Sequence, residues 1–342
     1  NFMDPLSQAV LGATLSQSAA GKKINQLSAM VVGALAGMAP DLDVFIRSET
    51  DPLLFLDFHR QFTHSLAFIP LGALACALVF YYFWFNRRWS KVKLSFLQVY
   101  LLSFLGYATH GFLDANTSYG TQLLWPFSNE RIAWDTVSIV DPLLTLPLVV
   151  LVVLSVRRKT SRYARIALVY AVLFLSFGLI QQQRAEQSLT VLAQQRGHTV
   201  ERLLVKPSFG NRHVWKMIYE HDGRYHVDAV KLLWDRQFIK GDSIQKLDIA
   251  RDLPYLSERS QSAKDIERFR WFSDDFLALN PDNTNQIIDV RNSMLPNSIQ
   301  LLFGIELNRE KLENGDLEIH VDFVANNTMS KETRGIYLDM LF

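Results

Sequence analysis

The run LAFIPLGALACALVFYYFWF, residues 66–85, contains no charged side chain. An apolar helix of about 20 residues is long enough to cross the hydrocarbon core of a bilayer, which is ~30 Å thick. Residues 94–113 form a similar run with one histidine near its end, residues 139–156 a third with one carboxylate, and residues 165–180 a shorter fourth. One such helix could lie in the core of a soluble protein, but four in succession indicate a membrane domain.

Two earlier segments, Pro5–Ala20 and Ile24–Ala39, are rich in alanine, glycine and serine. These small residues let membrane helices approach each other closely. We interpret the two segments as a helical hairpin that turns at Gly21-Lys22-Lys23. A signal peptide is the alternative, but its charges would precede the first apolar stretch, whereas here they follow it. The sequence therefore predicts an α-helical membrane bundle of about six helices over residues 3–180.

The remainder, residues 181–342, is polar and is predicted to be a small soluble α+β domain. Strands are predicted at 200–205, 215–220, 225–230 and 317–324, and helices at 181–195 and 262–276. The pair Asp222-Gly223 favours a hairpin turn between two of the strands. The chain has 35 basic and 34 acidic residues, but this balance averages two unlike halves. The lone Cys76 excludes an intramolecular disulfide.

Lysine and arginine placement predicts the orientation, because cytoplasmic loops of membrane proteins are enriched in both residues. Three connections are basic: Lys22-Lys23, Asn86–Lys93 and Arg157–Arg165. The alternate connections, 44–65 and 115–138, carry fewer basic residues for their length. With six spans, both termini and the polar domain are then expected on the extracytoplasmic side of the membrane.

Metal-ligand side chains cluster at the helix ends predicted to face outward. They are Asp41 and Asp43 after the second helix, His59 and His64 before the third, and His110 and Asp114 at the end of the fourth. The last two are four residues apart and share one helix face. Imidazole with carboxylate suits zinc first, and also manganese or iron(II). Several carboxylates permit one or two ions per site, the latter as used in phosphoester cleavage.

Each of these residues also has an ordinary structural interpretation. A single histidine at a membrane interface is usually a boundary residue, and a single aspartate at a helix end is usually a cap. The convergence of several motifs on one face favours a metal site. Asp135 and Asp141, which bracket the start of the fifth helix, are candidate general bases. Arg60 could hold a substrate phosphate or carboxylate, or pair with Asp57.

Three motifs carry a family resemblance: PDLD at 40–43, HRxxTHS at 59–65, and GYxxHxxxD at 106–114, the last followed by TxxGxxLLWP at 117–126. Together they resemble the YdjM-like family of bacterial membrane-bound, predicted metal-dependent hydrolases, in a longer subgroup with an added outer domain. The resemblance covers about the first 160 residues and implies a helical membrane hydrolase that uses a divalent metal. Two positions depart from it: Gln8 and Val44 stand where family members often have histidine. The departures could lower the metal count or shift ligation onto other acids.

The expected function is that of a metal-dependent hydrolase at the outer face of the membrane, acting on a lipid or lipid-linked phosphoester. An amide or acyl ester is a weaker expectation, and no Gly-x-Ser-x-Gly elbow indicates serine chemistry. The alternative is a non-catalytic membrane binding or assembly protein with a structural metal. A transporter ranks lowest, because the charged groups are expected at one face rather than at the midplane. No nucleic-acid partner is predicted.

Overall fold

The computed structural model describes residues 4–21, 23–85, 93–326 and 328–342, and these form two compact units. The helical unit consists of the described parts of Asn1–Phe45, Phe58–Ile180 and Phe209–Asn211. The C-terminal unit consists of the described parts of Ile46–Asp57, Gln181–Ser208 and Arg212–Phe342. Most of the basic connection predicted at Asn86–Lys93, and Lys22 of the predicted turn, lie outside the described residues.

The first half of the chain is helical, as predicted. Its helices are α1 Pro5–Ala19, α2 Gln26–Met38, α3 Leu54–Phe58, α4 Ile69–Phe80, α5 Phe96–Ala115, α6 Pro142–Arg157 and α7 Arg162–Gln195. Short polar residues begin several of them: the Asp4 carboxylate accepts from the backbone of α1, and Ser95 forms a capping box with Gln98 at the start of α5. Helix α7 runs on past Ile180, as the sequence predicted for residues 181–195.

Fewer helices than predicted qualify as membrane spans. By length and composition, three stretches of the described chain could cross a membrane: Gln26–Phe45, Phe96–Ala115 and Arg162–Gln195. A fourth is added if Leu54–His64 and Ile69–Phe85, which are bent by 85°, form one span. Helices α1 and α6 have 15 and 16 residues, short of the ~20 that a straight span needs. The prediction of about six membrane helices is not confirmed.

Glycines bring three helices of the helical unit into backbone contact. A Cβ added to Gly12 of α1 would lie 2.4 Å from the carbonyl oxygen of Gly33 in α2, and one added to Gly106 of α5 would lie 2.4 Å from the same atom. Without side chains at these positions, α1 and α5 can both approach α2. A Cβ added to Gly37, near the end of α2, would lie 3.4 Å from the carbonyl oxygen of Gly106, so α5 also lies beside the residues that lead to Pro40 and Asp41.

The C-terminal unit contains two antiparallel four-stranded sheets, in the orders β1-β2-β3-β4 and β5-β6-β7-β8. The strands are β1 Arg202–Pro207, β2 Val214–His221, β3 Arg224–Leu232, β4 Arg236–Gln245, β5 Leu277–Asn280, β6 Asn283–Asp289, β7 Phe303–Glu306 and β8 Asp322–Ala325. Its further helices are α8 Ile249–Asp252, α9 Gln261–Phe272, α10 Arg309–Glu313 and α11 Lys331–Leu341. Asp222 and Gly223 adopt φ of 50° and 66°, as expected for the tight turn between β2 and β3.

The strand predicted at 317–324 is shorter in the structure and begins only at Asp322. The residues before it bond to α9 instead of to a strand. The Leu317 carbonyl accepts from Gln261 N, and the Ile319 carbonyl accepts from Ser262 Oγ. The strand prediction is therefore wrong for residues 317–321 and correct for residues 322–324.

Three histidines of the C-terminal unit, His198, His221 and His226, lie together. The ring of His198 stacks on that of His221 with centroids 4.4 Å apart, and His226 lies 4.7 Å from His198. Tyr219 stacks on His226 with centroids 4.8 Å apart, and its hydroxyl is hydrogen-bonded to His198 Nδ1. The cluster ties the residues after α7 to the β2–β3 hairpin.

We expect this cluster to make the C-terminal unit less stable in acid. Burial, followed by the nearby His198 and Arg196, lowers the pKa of His226 to about 4 from an ordinary 6.5, although Asp228 opposes the shift. Between pH 6.5 and 4 the folded state thus binds fewer protons than the unfolded state. The contribution of His226 to the free energy of unfolding is therefore complete above pH 6.5 and is lost as the pH falls toward 4. Thermal unfolding at pH 7.5 and 5 should show the loss, and His226→Gln should reduce it. Equal pH slopes in both proteins would contradict the assignment.

Candidate metal site

Two histidines and two aspartates of the helical unit point ligand atoms at one place. Asp41, His64, His110 and Asp114 each offer one nitrogen or oxygen, and these four atoms all lie within 4.8 Å of one another. The Nε2 atoms of the two histidines are 2.9 Å apart. Asp41 Oδ1 lies 3.5 and 3.2 Å from them, and Asp114 Oδ2 lies 3.2 and 3.7 Å from them.

Three local structures bring these residues together. Helix α2 ends at Met38, and a 3-10 helix over Ala39–Phe45, containing Pro40, carries Asp41 past the helix end. A short 3-10 turn, Phe62–His64, presents His64 and is closed by Ser65, whose hydroxyl donates to the Phe62 carbonyl. On α5, His110 and Asp114 share one face through their i, i+4 spacing.

The hydrogen bonds on the far side of each imidazole direct its free nitrogen toward the cluster. His110 Nδ1 faces the carbonyl oxygen of Gly37, which can only accept, so Nδ1 donates and Nε2 keeps its lone pair. His64 Nδ1 lies 3.2 Å from Asp43 Oδ2 and 2.9 Å from Thr63 Oγ1. Donation from His64 Nδ1 likewise leaves Nε2 with its lone pair. Metal-binding histidines are usually oriented in this way.

The donor set fits a divalent cation. When both imidazoles are neutral, two nitrogen lone pairs and two carboxylate oxygens converge in a buried place, an arrangement that a cation between the four atoms would stabilise. The ligands of a tetrahedral zinc with bonds of 2.0–2.1 Å would lie roughly 3.3 Å apart, and the distances given above range from 2.9 to 3.7 Å. The side chains of His64, His110 and Asp114 are fully buried, whereas that of Asp41 is 15% exposed. Asp41 is thus the ligand nearest to solvent.

Asp43 and His59, also predicted as ligands, lie next to this group rather than in it. Asp43 Oδ1 is 2.8 Å from His59 Nδ1. Its Oδ2 accepts from the Arg60 backbone at 3.1 Å and from Thr63 Oγ1 at 2.7 Å, and lies beside His64. The structure therefore brings four of the six predicted ligands together, and gives Asp43 contacts that hold the His59–His64 segment in place.

Arg60 lies within the same site, buried to 1% exposure, in a left-handed conformation with φ of 64°. Its Nε is 3.0 Å from Asp114 Oδ2, and Nη1 donates to Thr117 Oγ1 at 3.0 Å. Asp57, the alternative partner considered for Arg60, pairs with Arg268 at 2.6 Å. Arg60 thus places a fixed positive charge beside the carboxylates.

A family model described as YdjM inner membrane protein matches residues 3–185, more than half of the chain. The chain belongs to the YdjM inner membrane protein family. It is 27% identical to the uncharacterized protein YfhP of Bacillus subtilis (strain 168) over 146 residues. That match covers 41% of this chain and 42% of YfhP. It is 28% identical over 123 residues to the inner membrane protein YbcI of Escherichia coli (strain K12), 35% of this chain and 66% of YbcI. The chain thus spans less than two thirds of either relative, and no solved structure matches it.

Gln8, which stands where members of the YdjM family often have histidine, contacts the site. Gln8 on α1 is fully buried, and its Nε2 donates to Asp114 Oδ1 at 2.8 Å. The position at which the resemblance leads one to expect histidine is therefore part of the site, where the amide orients Asp114. A buried glutamine in an apolar helix is the sequence signal that could have revealed this role.

The two candidate general bases of the YdjM-family domain lie outside the group of four. The Asp141 carboxylate caps α6 by accepting from Leu143 N at 3.0 Å. Asp135 is 9% exposed, and its backbone adopts a φ of 50°, which residues other than glycine rarely take.

Proposed function

We propose that this protein is a membrane-bound, metal-dependent hydrolase that cleaves a phosphoester of a lipid or lipid-linked substrate. The observation that carries the proposal is the convergence of two imidazole nitrogens and two carboxylate oxygens within 4.8 Å. This group lies among apolar helices in a family of inner membrane proteins. Buried acids and histidines in such a setting are costly, which makes a functional role the default expectation.

Each residue of the site has a distinct part in this proposal. Asp41, His64, His110 and Asp114 would hold the ion, with zinc the first candidate. A divalent ion bound there would supply Lewis acidity toward a phosphoryl oxygen and would lower the pKa of a bound water toward neutral pH. Gly37 and Asp43 fix the two imidazoles, while Arg60 offsets the charge of Asp114.

For the general base we propose Asp135 over Asp141, because the Asp141 carboxylate is committed to capping α6. The base would take the proton from the attacking water. A phosphoester is preferred over an amide or acyl ester because a mixed histidine and carboxylate set is suited to stabilising the charge of a phosphoryl group.

We further propose that the site works at the outer face of the inner membrane, with the C-terminal domain, residues 181–342, on the extracytoplasmic side. The support is the placement of basic residues such as Arg157, Arg158 and Arg165 in connections on the opposite side of the predicted topology. Substrate would then reach the site from the lipid headgroup layer, and partly exposed Asp41 would mark its approach.

The proposal is tested with the purified chain in detergent. We expect elemental analysis to find about one divalent ion per chain, which is what four ligands can hold. Release of phosphate or of a phosphorylated headgroup is then measured on phospholipids and polyprenyl phosphates, before and after chelation. Loss of turnover on chelation and recovery with added metal support the proposal. A metal-loaded protein that hydrolyses none of these substrates would contradict it.

A structural metal is the second candidate, and the burial of the ligands favours it. Structural zinc sites are closed by four protein ligands, whereas catalytic sites keep one position for water or substrate. Here four ligands converge, three of them fully buried, and Arg60 occupies one side of Asp114. Cobalt(II) substitution distinguishes the two candidates, because an added anion such as phosphate changes the spectrum of an open site and leaves that of a closed one unchanged.

A further inference from the structure

One loop connects the two halves of the site, and it belongs to the other unit. Asp41 and Asp43 precede it, His59 and His64 follow it, and residues 46–57 between them are part of the C-terminal unit. The loop ends in α3, and His59 comes two residues after Asp57. Because consecutive Cα atoms are 3.8 Å apart, a shift of Asp57 is passed to His59 with little slack.

Arg268 of α9 holds this loop by three ion-pair contacts. Its Nη1 and Nη2 bind the two Asp51 oxygens, each at 3.0 Å, in the bidentate geometry that guanidinium and carboxylate favour. Nη2 also donates to Asp57 Oδ2 at 2.6 Å. Asp51 Oδ1 also accepts from the backbone N–H of Leu53, the residue immediately before α3. One guanidinium therefore fixes the residues before and within the short helix that leads to His59.

Arg268 is itself held in place. Its Nη1 lies 3.2 Å from Asp265 Oδ1, and Asp265 is fully buried. The other Asp265 oxygen binds His320 Nδ1 at 2.8 Å. Three carboxylates thus surround one cation, so removing that cation leaves negative charges that repel one another. The loop would then move away from α9.

We propose that Arg268 is a positioning residue for the metal site: it sets the geometry of the His59–His64 segment through Asp51 and Asp57 without contacting the ligands. This inference rests on the proposed metal site and adds a role for the C-terminal unit. The unit holds the loop on which the ligand segment depends.

Cobalt(II) binding to the purified full-length chain tests this role, with Arg268→Ala as the variant and Arg270→Ala as the matched control. Arg270 lies on the same helix with a side chain 25% exposed, against 24% for Arg268, and it pairs with Glu267 and Asp275. Neither partner belongs to the loop. Changes in residues that orient metal ligands typically cost 10–100-fold in affinity. We expect at least about a 10-fold loss and an altered cobalt spectrum for Arg268→Ala, no more than about a 2-fold change for Arg270→Ala, and partial recovery with Arg268→Lys.

The outcomes separate this inference from the proposed function. Wild-type affinity and spectrum in Arg268→Ala overturn the positioning role and leave the metal site intact. Absence of cobalt binding by the wild-type chain overturns both. If Arg268→Ala does not fold, the double variant Asp51→Ala, Asp57→Ala removes the same contacts from the loop side, and an unchanged spectrum there overturns the positioning role equally.

Discussion

His110→Ala should abolish metal binding and turnover while leaving the helices folded. His110 supplies one of four converging ligand atoms, and its Nε2 is 2.9 Å from that of His64. Without it the remaining ligands are one nitrogen and two carboxylates. We expect the metal affinity to fall by more than about 100-fold, since changes in residues that only hydrogen-bond to a metal ligand already cost about 10–100-fold. Turnover should fall by roughly 10³-fold, equivalent to several kcal/mol of lost transition-state stabilisation.

Folding should survive because the change also relieves a conflict. In the metal-free protein two imidazoles and two carboxylates crowd together, and removing one imidazole lessens that crowding at the cost of the hydrogen bond to Gly37. Ser103→Ala is a suitable control, because Ser103 is on the same helix, is fully buried and lies outside the cluster. Metal content by elemental analysis and helicity by circular dichroism give the two readouts. Loss of helicity together with the metal would favour the structural alternative.

The helical first half of the chain and the proximity of four of the six candidate ligands were predictable from sequence. Apolar runs predict helices, and the basic connections predict which helix ends share a face. Asp41, His64, His110 and Asp114 could therefore be expected together before any distance was known. Only the i, i+4 pair on α5 follows from local geometry alone. The positions of Asp41 and His64 depend on tertiary contacts.

The number of spans was not predictable, because composition does not show where a helix begins or bends. The apolar run 66–85 appears continuous, yet α4 starts only at Ile69 and is followed by a π-helical turn. The turn before it is closed by Ser65, and Pro70 lies in the first helical turn, where its missing N–H costs nothing. The 85° bend relative to the preceding helices results from this turn.

The division between ligands and their supports was also beyond the sequence. Asp41 and Asp43 are two residues apart in one motif, yet only Asp41 joins the group of four, while Asp43 binds His59 and the following turn. Which carboxylate faces the ion depends on the path of the 3-10 helix after Pro40. The link between Asp51 and Arg268 spans 217 residues and joins a loop of the first half to a helix of the second, so no local pattern announces it.

Gly111→Ala should weaken metal binding strongly, although the substitution leaves all four candidate ligands in place. Gly111 follows His110 on α5, and a Cβ there would lie 2.2 Å from the carbonyl oxygen of His64 and 3.1 Å from a methyl of Leu123. The obstacle is backbone, so the contact is relieved only by moving the turn that carries His64. We expect the metal affinity to fall by about 10–100-fold and the protein to lose about 1–3 kcal/mol of stability, as for other overpacked sites.

The matched control is Gly335→Ala on α11, where an added Cβ has nothing within 4 Å. Alanine is the better helix former by roughly 0.5–1 kcal/mol, so the control should be neutral or slightly stabilising. The same preference acts at Gly111, which means that any loss there measures the clash with His64 rather than a backbone effect. Metal titration and thermal unfolding of both variants make the comparison. If Gly111→Ala binds metal like the wild type, then His64 is free to shift without cost, and the close contact between α5 and the His64 turn does not set the geometry of the ligands.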